Sequence, residues 1–103
     1  MVLITPVLAT VLSKRDDDFG TYGWNYAILW YERVNGGIKA VDRKHKGELW
    51  YQYWDTHIRF NFKGGYPPKG EVWEYADAWT RTKIYNKYTL ELVETLYSYV
   101  FVS

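Results

Sequence analysis

Trp24-Asn25-Tyr26-Ala27-Ile28-Leu29-Trp30-Tyr31-Glu32-Arg33-Val34, running straight into Asn35-Gly36-Gly37, decides the fold. Side chains of a strand point alternately to its two faces. Trp24, Tyr26, Ile28 and Trp30 therefore share one face, ahead of the polar Glu32. Asn25, Ala27, Leu29, Tyr31 and Arg33 share the other. Asn-Gly is a preferred hairpin dipeptide because both residues tolerate positive φ. Ile38 to Asp42 is expected to return as the antiparallel partner, and Arg43 to Gly47 to form a second, basic turn.

Further strands flank this hairpin. His57 to Lys63 alternates Ile58, Phe60 and Phe62 against Arg59, Asn61 and Lys63, the pattern of a half-exposed strand. Thr80 to Tyr85 reads as another. Val2 to Leu12 is rich in β-branched and aliphatic residues and reads as a mostly buried strand, marked at Pro6 by a residue that cannot donate to a ladder. Ser13 to Gly23, with three successive aspartates, reads as a loop. Gly64-Gly65-Tyr66-Pro67-Pro68-Lys69-Gly70 is a second loop. Near the C-terminus, Leu90, Val93, Leu96 or Tyr97 and Val100 keep a helical spacing, with Glu91 and Glu94 in early turns where the helix dipole favours acids. Tyr99 to Val102 is expected to finish as a short strand. The sum is an α+β domain, mainly antiparallel strands with one or two helices.

Lys46-Gly47-Glu48-Leu49-Trp50 returns 23 positions later as Lys69-Gly70-Glu71-Val72-Trp73. More aromatics follow each copy: Tyr51, Tyr53 and Trp54 after the first, Tyr75 and Trp79 after the second. The spans 46–63 and 69–86 are thus candidate repeat units of a single domain covering 1–103. One short unit cannot bury its own apolar face, so two are expected to pack together and leave a groove at their seam. Residues 48–54 favour a strand through their Trp and Tyr content. Residues 71–79 fit either a helix, by the stripe Val72, Tyr75, Ala76 and Trp79, or a strand, by Trp73, Tyr75, Asp77 and Trp79.

A chain of 103 residues makes one domain, burying roughly two-thirds of its unfolded surface. With no cysteine, disulfides and thiolate metal sites are excluded. The apolar Met1 to Leu12 lacks the features of a signal peptide, and a bilayer span needs about 20 apolar positions. A soluble, intracellular protein without a membrane partner is expected. Aromatics reach 20% of the chain, six Trp, eleven Tyr and four Phe, so some are expected at the surface as a patch or groove lining.

Thermally fragile residues are scarce: one Met, one Gln, four Asn and no Cys. With the Tyr and Trp load and the repeated Lys-Gly-Glu-Leu/Val-Trp, the chain resembles the small orphan proteins of viruses that infect hyperthermophilic archaea. That resemblance implies a compact α+β unit, often dimeric, acting by binding host or viral macromolecules. In a viral setting the location would be the host cytoplasm.

Charge is uneven along the chain. Residues 1–32 carry two basic against four acidic side chains, residues 33–87 eleven against six, and residues 88–103 two acids alone. A basic centre of this kind can steer an anionic partner.

Catalytic chemistry finds little support. His45 and His57, flanked by Lys44 and Lys46, have the groups for paired acid–base work, but nothing in their spacing brings them together. Asp16-Asp17-Asp18 lacks the rhythm and distal Glu of a calcium loop. Asp55-Thr56-His57 with Glu48 is equally loose, and no phosphate loop or nucleophile elbow is present. A protein that is not an enzyme and needs no metal or cofactor is expected.

Binding is better supported, because aromatic residues interleave with Arg59, Lys63, Lys69, Arg81 and Lys83. In one reading the groove between the units takes a protein or peptide segment, Tyr and Trp supplying affinity and unpaired strand edges main-chain hydrogen bonds. In the alternative, which the modest net charge places second to the peptide reading, the rings stack the bases of single-stranded nucleic acid while Arg and Lys track its phosphates. Trp50, Trp54, Trp73 and Trp79 are the expected anchors, Arg59 and Lys83 the rim charges, and Tyr66 a loop-borne contact. Surplus aromatic surface would also suit a homodimer.

Overall fold

The structure, a computed structural model, describes residues 10–103. Seven strands follow in chain order: β1 (Leu12–Phe19), β2 (Gly23–Val34), β3 (Gly37–Leu49), β4 (His57–Gly64), β5 (Val72–Trp73), β6 (Ala76–Asn86) and β7 (Leu92–Val102). They form a four-stranded sheet in the order β1-β2-β3-β5 and a three-stranded sheet in the order β4-β6-β7, every pair antiparallel. The two sheets pack face to face as a β-sandwich.

This corrects the expected α+β class to a mostly-β one. Among the described residues the only helical turn is a 3-10 turn at Tyr51–Tyr53. The helix expected from the spacing of Leu90, Val93, Leu96 and Val100 is β7. Its interior side chains are Leu96, Ser98, Val100 and Val102, at period two. Ser98 hid that period, because a buried serine is acceptable only with a partner, here Asn25. Glu94 caps no helix; its carboxylate accepts hydrogen bonds from the Thr21 and Tyr22 N–H groups at 2.8 and 3.0 Å, bracing the β1–β2 turn. The helical alternative for 71–79 also fails, since that span holds β5 and the start of β6.

The β2–β3 hairpin forms as the sequence implies, with Gly36 taking the positive φ (96°). Its inward face is the one of small residues. Asn25, Ala27 and Leu29 are fully buried between the sheets, whereas Trp24, Tyr26, Ile28 and Trp30 point to the outer side of their sheet, half-buried except for Tyr26, which is buried beneath its neighbours' side chains. There the long stems of Arg15, Lys44 and Lys46 cover the rings, with Arg15 4.2 Å from the Tyr26 centroid and Lys46 5.7 Å from that of Trp24. That packing explains two further differences. The basic segment Arg43–Gly47 is no turn but the middle of β3, alternating over β2. The acidic segment after Ser13 is no loop but β1, pairing with β2 from Leu12↔Tyr31 to Phe19↔Trp24. The strand expected over 48–54 ends instead at Leu49. Most of the strand expected over Val2–Leu12, Pro6 included, lies outside the described residues.

Small interior residues let the sheets approach closely, and the core divides lengthwise. One apolar cluster gathers Ala27, Leu29, Ile38 and Ala40 against Ala76, Ala78, Val100 and Val102. A second holds Leu49, Ile84 and Leu96. Between them runs a hydrogen-bonded polar belt. The Ser98 hydroxyl donates to Asn25 Oδ1, Asn25 Nδ2 donates to Thr80 O and Thr82 Oγ1 (3.0 and 3.2 Å), and Thr82 Oγ1 donates to Asn61 Oδ1 (2.9 Å). Asn61 Nδ2 then reaches the Gly47 carbonyl at 3.0 Å. Among the described residues every buried side-chain polar atom has a partner.

Side chains also close both flanks of the sandwich. At one, Asn61 and the Arg59–Glu48 ion pair (2.9 Å) tie β4 to β3. At the other, Asp16 and Asp18 of β1 accept hydrogen bonds from the Tyr99 and Tyr97 N–H groups of β7.

Candidate binding face

The outward side of the three-stranded sheet is built from alternate residues of β4, β6 and β7. Register sets the rows: Phe62 opposite Arg81 opposite Tyr97, and Gly64 opposite Trp79 opposite Tyr99. Trp79 lies across Gly64, where a Cβ would stand 2.5 Å from the indole ring, so only glycine lets the indole lie flat. The Arg81 guanidinium sits between two rings, 5.9 Å from the Trp79 centroid and 5.5 Å from that of Tyr97. Among the described residues Arg81 makes no ion pair or side-chain hydrogen bond, so its donors are free for a ligand. Lys83 lies next along β6, opposite Phe60.

From Tyr97 the rings form a continuous line toward the end of the sheet at which β7 finishes. Tyr97 and Tyr99 are 6.2 Å apart, Tyr99 and Phe101 6.5 Å, and Phe101 and Tyr75 5.7 Å, all near parallel. Trp73 meets Tyr75 edge-on at 5.8 Å, and Tyr66 stacks on Trp73 at 5.6 Å. On the open face Phe60, Phe62, Tyr97, Tyr99 and Phe101 remain 41–53% exposed. Exposed rings in such number are unusual for surface that meets only water.

Buried polar groups fix this end of the line. Asp77 Oδ1 accepts from the Tyr66 N–H at 2.7 Å, and Oδ2 from the Tyr99 hydroxyl at 3.2 Å. Desolvation, then the neighbouring Asp77 charge, raises the Tyr99 pKa above its ordinary value. Arg43 reaches across from β3 to donate to the carbonyls of Asp77 (2.8 Å) and Pro67 (2.7 Å), pinning the loop that carries Tyr66. Burial lowers its pKa, opposed by Asp77 and Asp42.

Of the expected site residues, Tyr66, Trp73, Trp79 and Lys83 come together on this face or at its end. The other three do not. Trp50 lies on the opposite sheet, its Nε1 donating to Gly20 O at 3.0 Å and its ring near Phe19 and Trp24. Trp54 is exposed in the β3–β4 loop, held by a 3.2 Å hydrogen bond to Leu49 O. Arg59 is taken up by Glu48. The two pentapeptides differ in conformation: Lys46–Leu49 ends β3, whereas Lys69–Glu71 is loop before the two-residue β5. The basic stretches that follow them, β4 and β6, are paired as neighbouring strands. A ladder thus occupies the expected seam, and among the described residues there is no pocket. Phe62, Tyr97, Tyr99 and Phe101 also line this face and are absent from the expected set; their period-two spacing in β4 and β7 is the sequence signal for them.

The histidines stand apart. His45 faces inward, with Nδ1 3.1 Å from Thr80 Oγ1. That hydroxyl gives its proton to Tyr26 O, so His45 Nδ1 carries a hydrogen and donates. His57 is buried against Tyr22 and Tyr53. Among the described residues no three metal-ligating side chains converge, and no helix is long and apolar enough to cross a membrane. No protein-family model matches the chain, and neither curated proteins nor solved structures provide a match.

Proposed function

We propose that the protein binds single-stranded nucleic acid, without catalysis, on the outward face of its β4-β6-β7 sheet. The observation that carries this reading is Arg81, held between Trp79 and Tyr97 in a field of half-exposed rings and free of any acidic partner among the described residues. Every base has a face that stacks on an aromatic ring, and arginine and lysine track the phosphates. Such a ligand implies work inside a cell. Interaction rather than catalysis is also what the likeness to small hyperthermophile-virus proteins implies.

A peptide partner has weaker support. Strand addition needs an open edge; the β7 edge is capped at Tyr97 and Tyr99 and residues 70–73 cover β3 over Ile38–Ala40, which leaves, among the described residues, the outer edge of β4 as the one place on the three-stranded sheet for it. A flat face without a pocket also lacks the anchor sites that peptide hot spots need.

Binding to a labelled oligonucleotide of about 16 nucleotides, the upper end of one small domain's footprint, tests the proposal. Affinity is expected to fall steeply with salt, and Arg81→Ala to reduce the slope of log K against log salt by about 0.7, the share of one single-strand phosphate. Absence of binding at low salt, or an affinity indifferent to salt, overturns it.

A further inference from the structure

Edge strands carry unpaired N–H and C=O groups that invite pairing with another chain. β7 is an edge strand, and three side chains of β1 meet its edge in regular steps. Lys14 Nζ donates to Phe101 O at 2.9 Å, Asp16 Oδ2 accepts from Tyr99 N–H at 2.9 Å, and Asp18 Oδ2 accepts from Tyr97 N–H at 2.8 Å. Each step advances two residues on β1 and retreats two on β7. The result is an antiparallel ladder in which side chains replace one of the two backbones. Asp17, between them, points to the other face and pairs with Arg15 at 2.8 Å. The run of aspartates is therefore split by the strand pleat into two residues on the β7 edge and one off it.

We infer that Lys14, Asp16 and Asp18 guard the β7 edge against a second copy of the same edge. The excluded partner follows from the edge itself. Pairing β7 with β7 antiparallel about Tyr99 is self-complementary, as two-fold association requires. It would also set the rows Tyr97, Tyr99 and Phe101 of two molecules side by side, giving aromatic cross-strand neighbours. Main-chain donors and exposed rings thus favour the same association, and the two carboxylates occupy the donors first. This inference does not depend on what the outward face binds.

The test compares the wild-type chain with Asp16→Ala/Asp18→Ala, Asp16→Asn/Asp18→Asn and Asp17→Ala, by sedimentation and by amide hydrogen exchange. The double alanine variant is expected to gain a concentration-dependent dimer relative to wild type. The asparagine variant, whose amide oxygen still accepts an N–H, and Asp17→Ala are expected to gain none. In two further variants, Asp16→Ala alone is expected to speed exchange at Tyr99 only, and Asp18→Ala alone at Tyr97 only, by about tenfold or more. These single variants keep the idea testable if the double one does not fold. Unchanged association of the folded double alanine variant, unchanged exchange in the single variants, or equal association on losing Asp17 overturns it.

Discussion

Asn25 sits where the two sheets agree on their register. Its side chain spans from Thr80 and Thr82 on β6 to Ser98 on β7, fully buried. Asn25→Ala would take the side-chain donor from the Thr80 carbonyl and leave the Ser98 hydroxyl only its longer 3.3 Å contact with the Asn25 carbonyl, in a place water does not reach. A loss of about 1–3 kcal/mol in urea unfolding is expected, the desolvation cost of an orphaned polar group. In the same belt, burial lowers the pKa of His45, opposed by a backbone hydrogen bond to Trp79. The unfolded chain then takes a proton near pH 6.5 that the folded chain does not accept until lower pH. Its stability contribution is present above that value and is lost as pH falls below it. His45→Gln is expected to flatten the fall in unfolding midpoint between about pH 7.5 and about pH 5.5. A curve identical to wild type would show that other groups govern that window. The belt was hidden in the sequence because a lone Asn, Thr or Ser on a strand reads as surface. Only its partners make it interior.

At the scale of elements, the strands with a clean two-residue alternation were legible: β2, β4 and β6, together with the turn at Asn35-Gly36. β7 was not, because aromatic residues lie on one of its faces and Ser98 interrupts the other, so apolar residues also match a helical stripe. β1 was hidden by its charges, which serve as bonding groups across the flank of the sandwich. The rings of β7 lie outside both apolar clusters. Replacing Tyr97 and Phe101 together by alanine, rings without a buried hydrogen-bond partner, is therefore expected to weaken oligonucleotide binding by about 1–3 kcal/mol per stacked base while moving the unfolding midpoint little. Measuring both on one preparation checks it. A midpoint that collapses with binding would make the rings structural.

For the whole molecule, the sequence alone determined a chain without disulfides, dominated by antiparallel strands, with more aromatic surface than its core can hold. These follow from composition and from local period, which any conformation must respect. It grouped Tyr66, Trp73, Trp79 and Lys83 with Trp50, Trp54 and Arg59 in one groove, and the fold brings only the first four together. Which face of each strand turns inward was decided only by the tertiary structure. Alternation leaves open whether the Trp24, Tyr26 and Trp30 face or the Asn25, Ala27 and Leu29 face is the core, and bulk is no guide. Close approach of the sheets instead selects Ala27, Ala40, Ala76, Ala78 and the polar belt, sending the large rings outside under Arg15, Lys44 and Lys46. The expected groove vanished for a related reason: β4 and β6 gain more from a hydrogen-bonded ladder than from a cleft that would leave their backbones unpaired. Alternation shows that a strand has two faces. Which one is buried depends on what the opposing sheet can bring against it, and that is a contact between residues some fifty to seventy positions apart.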